Sequence, residues 1–168
     1  MIEKIISNGG KITIKAKGAI KASHHFFIED NEIGELCFEM KNGFVKGFYR
    51  TIDACYEITK SDTEKDVLQV NRYGNNIAEL KSKFNLKGLL NGNVITSYRH
   101  YYSVSTKGLL RPTLFLTNEK ENQTVFSISQ PNIIRTTSIE VFPSLINIEE
   151  FNALLAISSF RMLATIVV

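Results

Sequence analysis

The sequence predicts a mostly-β protein: a closed barrel of about twelve strands around a hydrophobic C-terminal helix. Three observations carry this expectation. Residues 147–168, NIEEFNALLAISSFRMLATIVV, form a helix-like segment apolar on nearly every face, which must be buried in protein or in a bilayer. Upstream, short runs alternate apolar and polar residues with period two, the pattern of strands with one buried face. Turn residues punctuate those runs at regular spacing, which by itself suggests a closed barrel or a sandwich. Eight strands already fill a barrel with their own side chains, so about twelve leave room for a helix.

The alternating runs come in order. Residues 11–16 place Ile12, Ile14 and Ala16 opposite Lys11, Thr13 and Lys15. Residues 35–40 set Leu36, Phe38 and Met40 against Glu35, Cys37 and Glu39. Residues 77–84 put Ala78, Leu80 and Phe84 opposite Glu79, Lys81 and Lys83. Residues 113–117 and 123–129 repeat the pattern, with Leu114/Leu116 facing away from Phe115 and Val125/Ser127 facing away from Phe126/Ile128. Asn8-Gly9-Gly10, Asn42-Gly43, Tyr73-Gly74-Asn75-Asn76, Asn91-Gly92-Asn93, Lys107-Gly108 and Gln130-Pro131-Asn132 read as turns, because Gly and Asn tolerate positive φ and Pro presets a turn. Residues 61–66 and 118–122 read as hairpin loops.

The tail carries helix-start signals. Asn147 suits the N-cap, Glu150 follows at capping-box spacing, and Ile146 and Phe151 stand at the spacing of a hydrophobic staple. Glu149 and Glu150 place negative charge in the first turn, where the helix dipole favours it. A bilayer span needs about 20 apolar residues, whereas the tail has Arg161 in its interior and Ser158, Arg161 and Thr165 on one stripe. A buried core helix is expected, with no transmembrane span. The stripe is expected to reach polar groups or a cavity mouth.

The chain has 168 residues, 43% hydrophobic and 22% charged, which fits one globular domain over 1–168 with 147–168 at its centre. No apolar leader opens the sequence, so a cytoplasmic location is expected, with peripheral attachment at a membrane as an extension of it. Cys37 and Cys55 are expected to be reduced and half-buried. The net charge of +3 hides an asymmetry: no Asp or Glu occurs between Leu80 and Asn118, where six of the twenty basic residues fall. Those six, Lys81, Lys83, Lys87, Arg99, Lys107 and Arg111, are the candidate anion-binding residues, against the plainer reading of solvated outward positions.

Catalytic and metal chemistry have little support. His24 and His25 are adjacent and point to opposite faces of a strand. No nucleophile elbow or phosphate-binding glycine loop is present, and no cofactor is expected. Arg99-His100-Tyr101-Tyr102 offers a cation and aromatics to a lipid headgroup or a base, although a tyrosine-rich strand is more often half-buried sheet.

Phe27-Ile28-Glu29-Asp30 with Ile33-Gly34-Glu35-Leu36, the hairpin from Tyr56-Glu57-Ile58 to Val70-Asn71-Arg72, and Asn152-Ala153-Leu154-Leu155-Ala156-Ile157 resemble the tubby-like superfamily. That group includes the LURP-one-related proteins and the phospholipid scramblases. The resemblance implies a roughly twelve-stranded barrel around a hydrophobic helix, and small bacterial members with a bare barrel are the nearer comparison. The chain has no Trp, and it has neither the cysteine cluster nor the proline-rich extension of animal scramblases. The expected function is non-catalytic binding of an anionic phospholipid headgroup or a protein partner, with nucleic acid not expected. The alternative is an intracellular small-ligand carrier or hydrolytic enzyme with a barrel-end cavity.

Overall fold

A computed structural model describes residues 1–18, 23–41, 44–64, 66–84, 89–108, 112–129 and 136–164. A short helix, α1 (Ile2–Asn8), comes first. The wall then runs through β1 (Gly10–Lys17), β2 (Ser23–Ile28), β3 (Asn31–Lys41) and β4 (Phe44–Arg50). It continues through β5 (Cys55–Lys60), β6 (Val67–Arg72), β7 (Asn75–Phe84) and β8 (Leu90–Thr96). β9 (Tyr101–Lys107), β10 (Thr113–Asn118), β11 (Gln123–Ser129) and β12 (Thr136–Val141) complete it, and α2 (Ile148–Ala164) follows. Each strand pairs antiparallel with the next, and β12 pairs with β1 to close the barrel.

Alternation decides which side of the wall most residues meet, although in β11 Val125, Phe126, Ser127 and Ile128 are all buried. Ile12, Ile14, Leu36, Leu80, Leu114, Leu116, Phe126 and Ile128 are all buried, while Lys11, Lys15, Glu79, Lys81 and Lys83 are exposed. Inside, every residue from Glu150 to Phe160 is buried, on all sides of α2. Phe151 meets Phe126 of β11 edge-on, and Phe160 meets Phe38 of β3. The all-round apolar helix thus supplies the core that the wide wall lacks. Among the described residues no helix is long and apolar enough to cross a membrane.

The turns at Glu29-Asp30, 51–54, 73–74, 97–100 and 119–122 all lie at the end where α2 begins, here the upper end. Tyr73 and Gly74 both have positive φ, the conformation of a tight two-residue hairpin whose twist matches its strands. α1 also sits at the upper end, with Ile5 and Ile6 buried and Ser144 N–H donating to Ile6 O at 2.8 Å. The sequence pattern did not reveal this helix. It is only seven residues long, and Gly9 at φ 76° stops it.

Two further expectations need correction. Asn91-Gly92-Asn93 is not a turn but the interior of β8. A Cβ at Gly92 would stand 2.5 Å from the Lys81 carbonyl oxygen and 2.7 Å from Ser82 Cβ, so glycine permits close approach of β7 there. Gly92→Ala is therefore expected to destabilise the barrel by about 1–3 kcal/mol through overpacking, read as a lower urea midpoint. An unchanged midpoint would mean β7 yields freely. Second, Ser158 is fully enclosed, so the stripe it shares with Arg161 does not open at Ser158. The turns expected at Asn42-Gly43 and Gln130-Pro131-Asn132, and residues 165–168, lie outside the described residues.

Candidate functional site

The upper end concentrates the polar chemistry of the molecule. Asn147 Oδ1 accepts from the Glu150 N–H at 2.9 Å, the N-cap that the sequence indicated. The Glu150 side chain does not fold back to close a capping box. It is completely buried and accepts hydrogen bonds from Thr96 Oγ1 at 2.7 Å and Tyr102 Oη at 2.9 Å. His100 Nδ1 stands 2.9 Å from its Oε1. A buried carboxylate is tolerable only when such donors replace its lost water. Burial, followed by the nearby Glu150 carboxylate, pushes the Tyr102 phenol well above its ordinary range.

Glu149, one residue earlier, is held by Arg72 of β6 and Tyr98 of the β8–β9 turn. The Tyr98 hydrogen bond is the main cause of a lowered Glu149 pKa; burial opposes it and Arg72 adds to it. The same bond, with burial second, pushes the Tyr98 phenol up to about 12. Glu149's folded pKa is depressed, so its stabilisation is present above its ordinary 4.5 and is lost as pH falls through the folded value. Tyr98 is raised, so its stabilisation is full below 10 and is lost as pH rises from 10 through about 12. Tyr98→Phe is expected to move the Glu149 carboxyl back toward 4.5, checked by carbon-13 NMR titration. No movement would mean that the bond does not form in solution.

Two clefts flank this anchored helix start. One, of about 500 Å³, lies between the 97–100 and 119–122 turns and the segment before α2, with Arg99, His100, Tyr101, Lys120, Glu121 and Leu145 around it. The other, of about 570 Å³, lies between α1, the β2–β3 and β4–β5 turns and the start of α2. Ile2, Ile33, Ile52 and Ile148 give it apolar sides, and Asn152 lines it. Asn152 is 5% exposed, and its Oδ1 has no hydrogen-bond partner.

Four cations of the acid-free block are described, and Arg99 lies apart from Lys81, Lys83 and Lys107. Arg99 stands at the tip of an upper turn with φ 60°. Lys81 and Lys83 share the outer side of β7 toward the lower end, as alternation requires, but Lys81 pairs with Glu64 at 3.1 Å. Lys107, at the lower end of β9, lies over the Phe115 ring. Lys87 and Arg111 lie outside the described residues. An antiparallel meander reverses direction at every turn, so Arg99 and Lys107, eight positions apart, finish at opposite ends of β9.

His24 and His25 separate as expected. His24 packs edge-on against Phe38, while His25 bonds Ser23 and Glu32. Among the described residues no group of three His, Cys, Asp or Glu side chains is placed to hold a metal ion. Cys37 is half-buried, Cys55 is exposed, and both are free.

What fold and site together define is a closed twelve-stranded antiparallel barrel, filled by its C-terminal helix and polar-anchored at one end. Compared with models of known families and with curated proteins, the sequence matches none.

Proposed function

We propose that the chain is a non-catalytic binding module of tubby-like type that docks its upper end on a phospholipid surface. A twelve-stranded wall around a C-terminal helix is the architecture that the resemblance implies. The observation that carries the docking is where exposed apolar side chains fall. Of the eight large hydrophobics exposed among the described residues, all but Met40 lie at or beside the upper end. Ile52 and Leu145 are each 97% exposed and Tyr73 is 76% exposed, each on a separate projecting segment. Tips from several hairpins that project along one barrel axis suit a flat surface. Aliphatic groups would enter the interface, with Tyr73, Tyr98 and Tyr101 at headgroup level, where aromatic rings settle.

The outer wall carries Lys11, Lys15, Glu79, Lys81 and Lys83, which opposes a membrane-spanning barrel, since such barrels are apolar outside. Attachment would be peripheral. The rim mixes Arg50, Arg99 and Lys120 with Glu29, Asp30, Asp53, Glu119 and Glu121, so binding should depend on apolar tips more than on anionic lipid.

Vesicle flotation tests this. Fully burying an Ile or Leu side chain is worth about 1.5–3 kcal/mol, so Ile52→Asp with Leu145→Asp is expected to weaken flotation more than about tenfold. The urea midpoint should hold, because both side chains already face solvent. Lys81→Glu with Lys83→Glu should change little, and binding should respond weakly to salt. If the charge reversal abolishes flotation and the tip changes do not, the basic side of β7 is the docking face. No flotation on any vesicle would overturn the lipid reading and leave a protein partner for the rim.

A further inference from the structure

We infer that the cleft beside α1 selects a primary ammonium carried next to a phosphate, as the ethanolamine headgroup of a phospholipid presents it. The inference rests on the docking reading above and gives it headgroup selectivity. Its strongest support is an unmet acceptor. Asn152 lines the cleft from inside the barrel, nine-tenths buried, with Oδ1 unpartnered. A buried carbonyl without a donor carries a desolvation cost that a ligand N–H would remove.

The surroundings are consistent with a charged donor. Glu32, Glu35 and Asp53 line the cleft with Arg50 and Met1, and Glu32 also meets Lys17 and His25 on the wall. An ammonium would meet an attractive field on its way to Asn152. Arg50 would meet the phosphate, which a guanidinium recognises through two parallel hydrogen bonds. Ile2, Ile33, Ile52 and Ile148 give this small polar set apolar neighbours, the mixture that ligand sites commonly show.

Gly34 lets a second buried group pack close behind the cleft wall. A Cβ there would stand 2.8 Å from Tyr49 Oη and 2.9 Å from the Arg50 carbonyl oxygen. Tyr49 Oη is itself fully buried and unpartnered. Two orphaned polar atoms thus lie at one cleft, one lining it and one behind its glycine.

Choline is the discriminating comparison. Its quaternary ammonium carries the same charge but no N–H, so it cannot satisfy Asn152 Oδ1. In NMR titration, O-phosphoethanolamine is expected to shift the Gly34 and Asn152 amides with at least about tenfold higher affinity than phosphocholine, the size expected when a charge-assisted hydrogen bond is lost. On vesicles, replacing part of the phosphatidylcholine with phosphatidylethanolamine should raise flotation. Asn152→Leu should remove that gain while leaving flotation on phosphatidylcholine through Ile52 and Leu145. If Asn152→Leu does not fold, Asp53→Asn with Arg50→Gln, both at exposed positions, should remove the same gain. A soluble response with no flotation would support the cleft, assign it to a free zwitterion, and overturn the docking reading alone. Equal affinity for the two soluble headgroups, or a bound water on Asn152 Oδ1 at saturating O-phosphoethanolamine, would overturn the inference.

Discussion

Leu155→Asp is expected to leave no folded protein. Leu155 sits midway along α2 with no exposed surface, among Leu154, Ala156 and Ile157, which are equally buried. An aspartate there would have to stay ionised without a partner or take up a proton, and either costs several kcal/mol. The loss of the leucine side chain adds about 2–5 kcal/mol. Together these approach or exceed the 5–15 kcal/mol net stability typical of a domain. Removal of the whole helix should be worse. Phe151, Leu154, Leu155, Ile157, Phe160, Met162 and Leu163 are all buried, and at about 1.5–3 kcal/mol each their loss is comparable to or larger than a domain's typical net stability. A chain ending at Ile146 should therefore be insoluble, or soluble without a cooperative urea transition. Leu155→Met, which conserves volume, should cost less than about 1.5 kcal/mol and serves as the folding control. A cooperative transition in the aspartate variant near the parent midpoint would remove α2 from the core.

Most of the fold was legible because its signals are local. Ile12 and Ile14, or Leu114 and Leu116, announce a buried face within five residues, and Asn147 announces the helix start within four. The misreadings arise where a distant neighbour decides. Asn91-Gly92-Asn93 has turn composition, yet Gly92 is there because β7 passes too close for a Cβ. α1 is barely two turns long and gains its place from Ser144 and from burial of Ile5 and Ile6, none of which a periodicity count registers.

The candidate site was far less legible, for the same reason. Glu150 is bonded by Thr96, His100 and Tyr102, about 50 positions away in the chain, whereas its local spacing suggested a capping box. His100 and Tyr102 stood out in the sequence as part of an aromatic, acid-free stretch. Only closure of the barrel around α2 brings them to a carboxylate. The six cations were judged by proximity in sequence, and among the four described the antiparallel meander carries Arg99 to the end of the barrel opposite Lys107, eight positions away. Asn152 gave no sign of a site, because an asparagine in an apolar helix points to one only once its Oδ1 is seen to lack a donor.

Glu150→Leu is the second change of large expected effect, and it separates two accounts of the helix anchor. Removing the carboxylate leaves the Thr96 and Tyr102 hydroxyls, both buried, and the half-exposed His100 ring without their acceptor. Hydrogen bonds to a charged group contribute about 1.5–3 kcal/mol each, and breaking a buried charged network from one side typically costs about 3–5 kcal/mol. The substitution should lower stability by that amount in urea unfolding. Glu150→Gln keeps one carbonyl acceptor and should recover part of the loss. If the network is the cause, Tyr102→Phe should cost far less in the Glu150→Leu background than in the parent, with a coupling of about 0.5–3 kcal/mol. Combining Glu150→Leu with Thr96→Val and Tyr102→Phe replaces both sides of the network with apolar groups, and such replacement is often close to neutral. The triple variant should therefore be more stable than Glu150→Leu alone. A cost for Glu150→Leu below about 1 kcal/mol, with no coupling to Tyr102, would mean that apolar packing alone positions α2 and that the buried carboxylate contributes nothing to holding it.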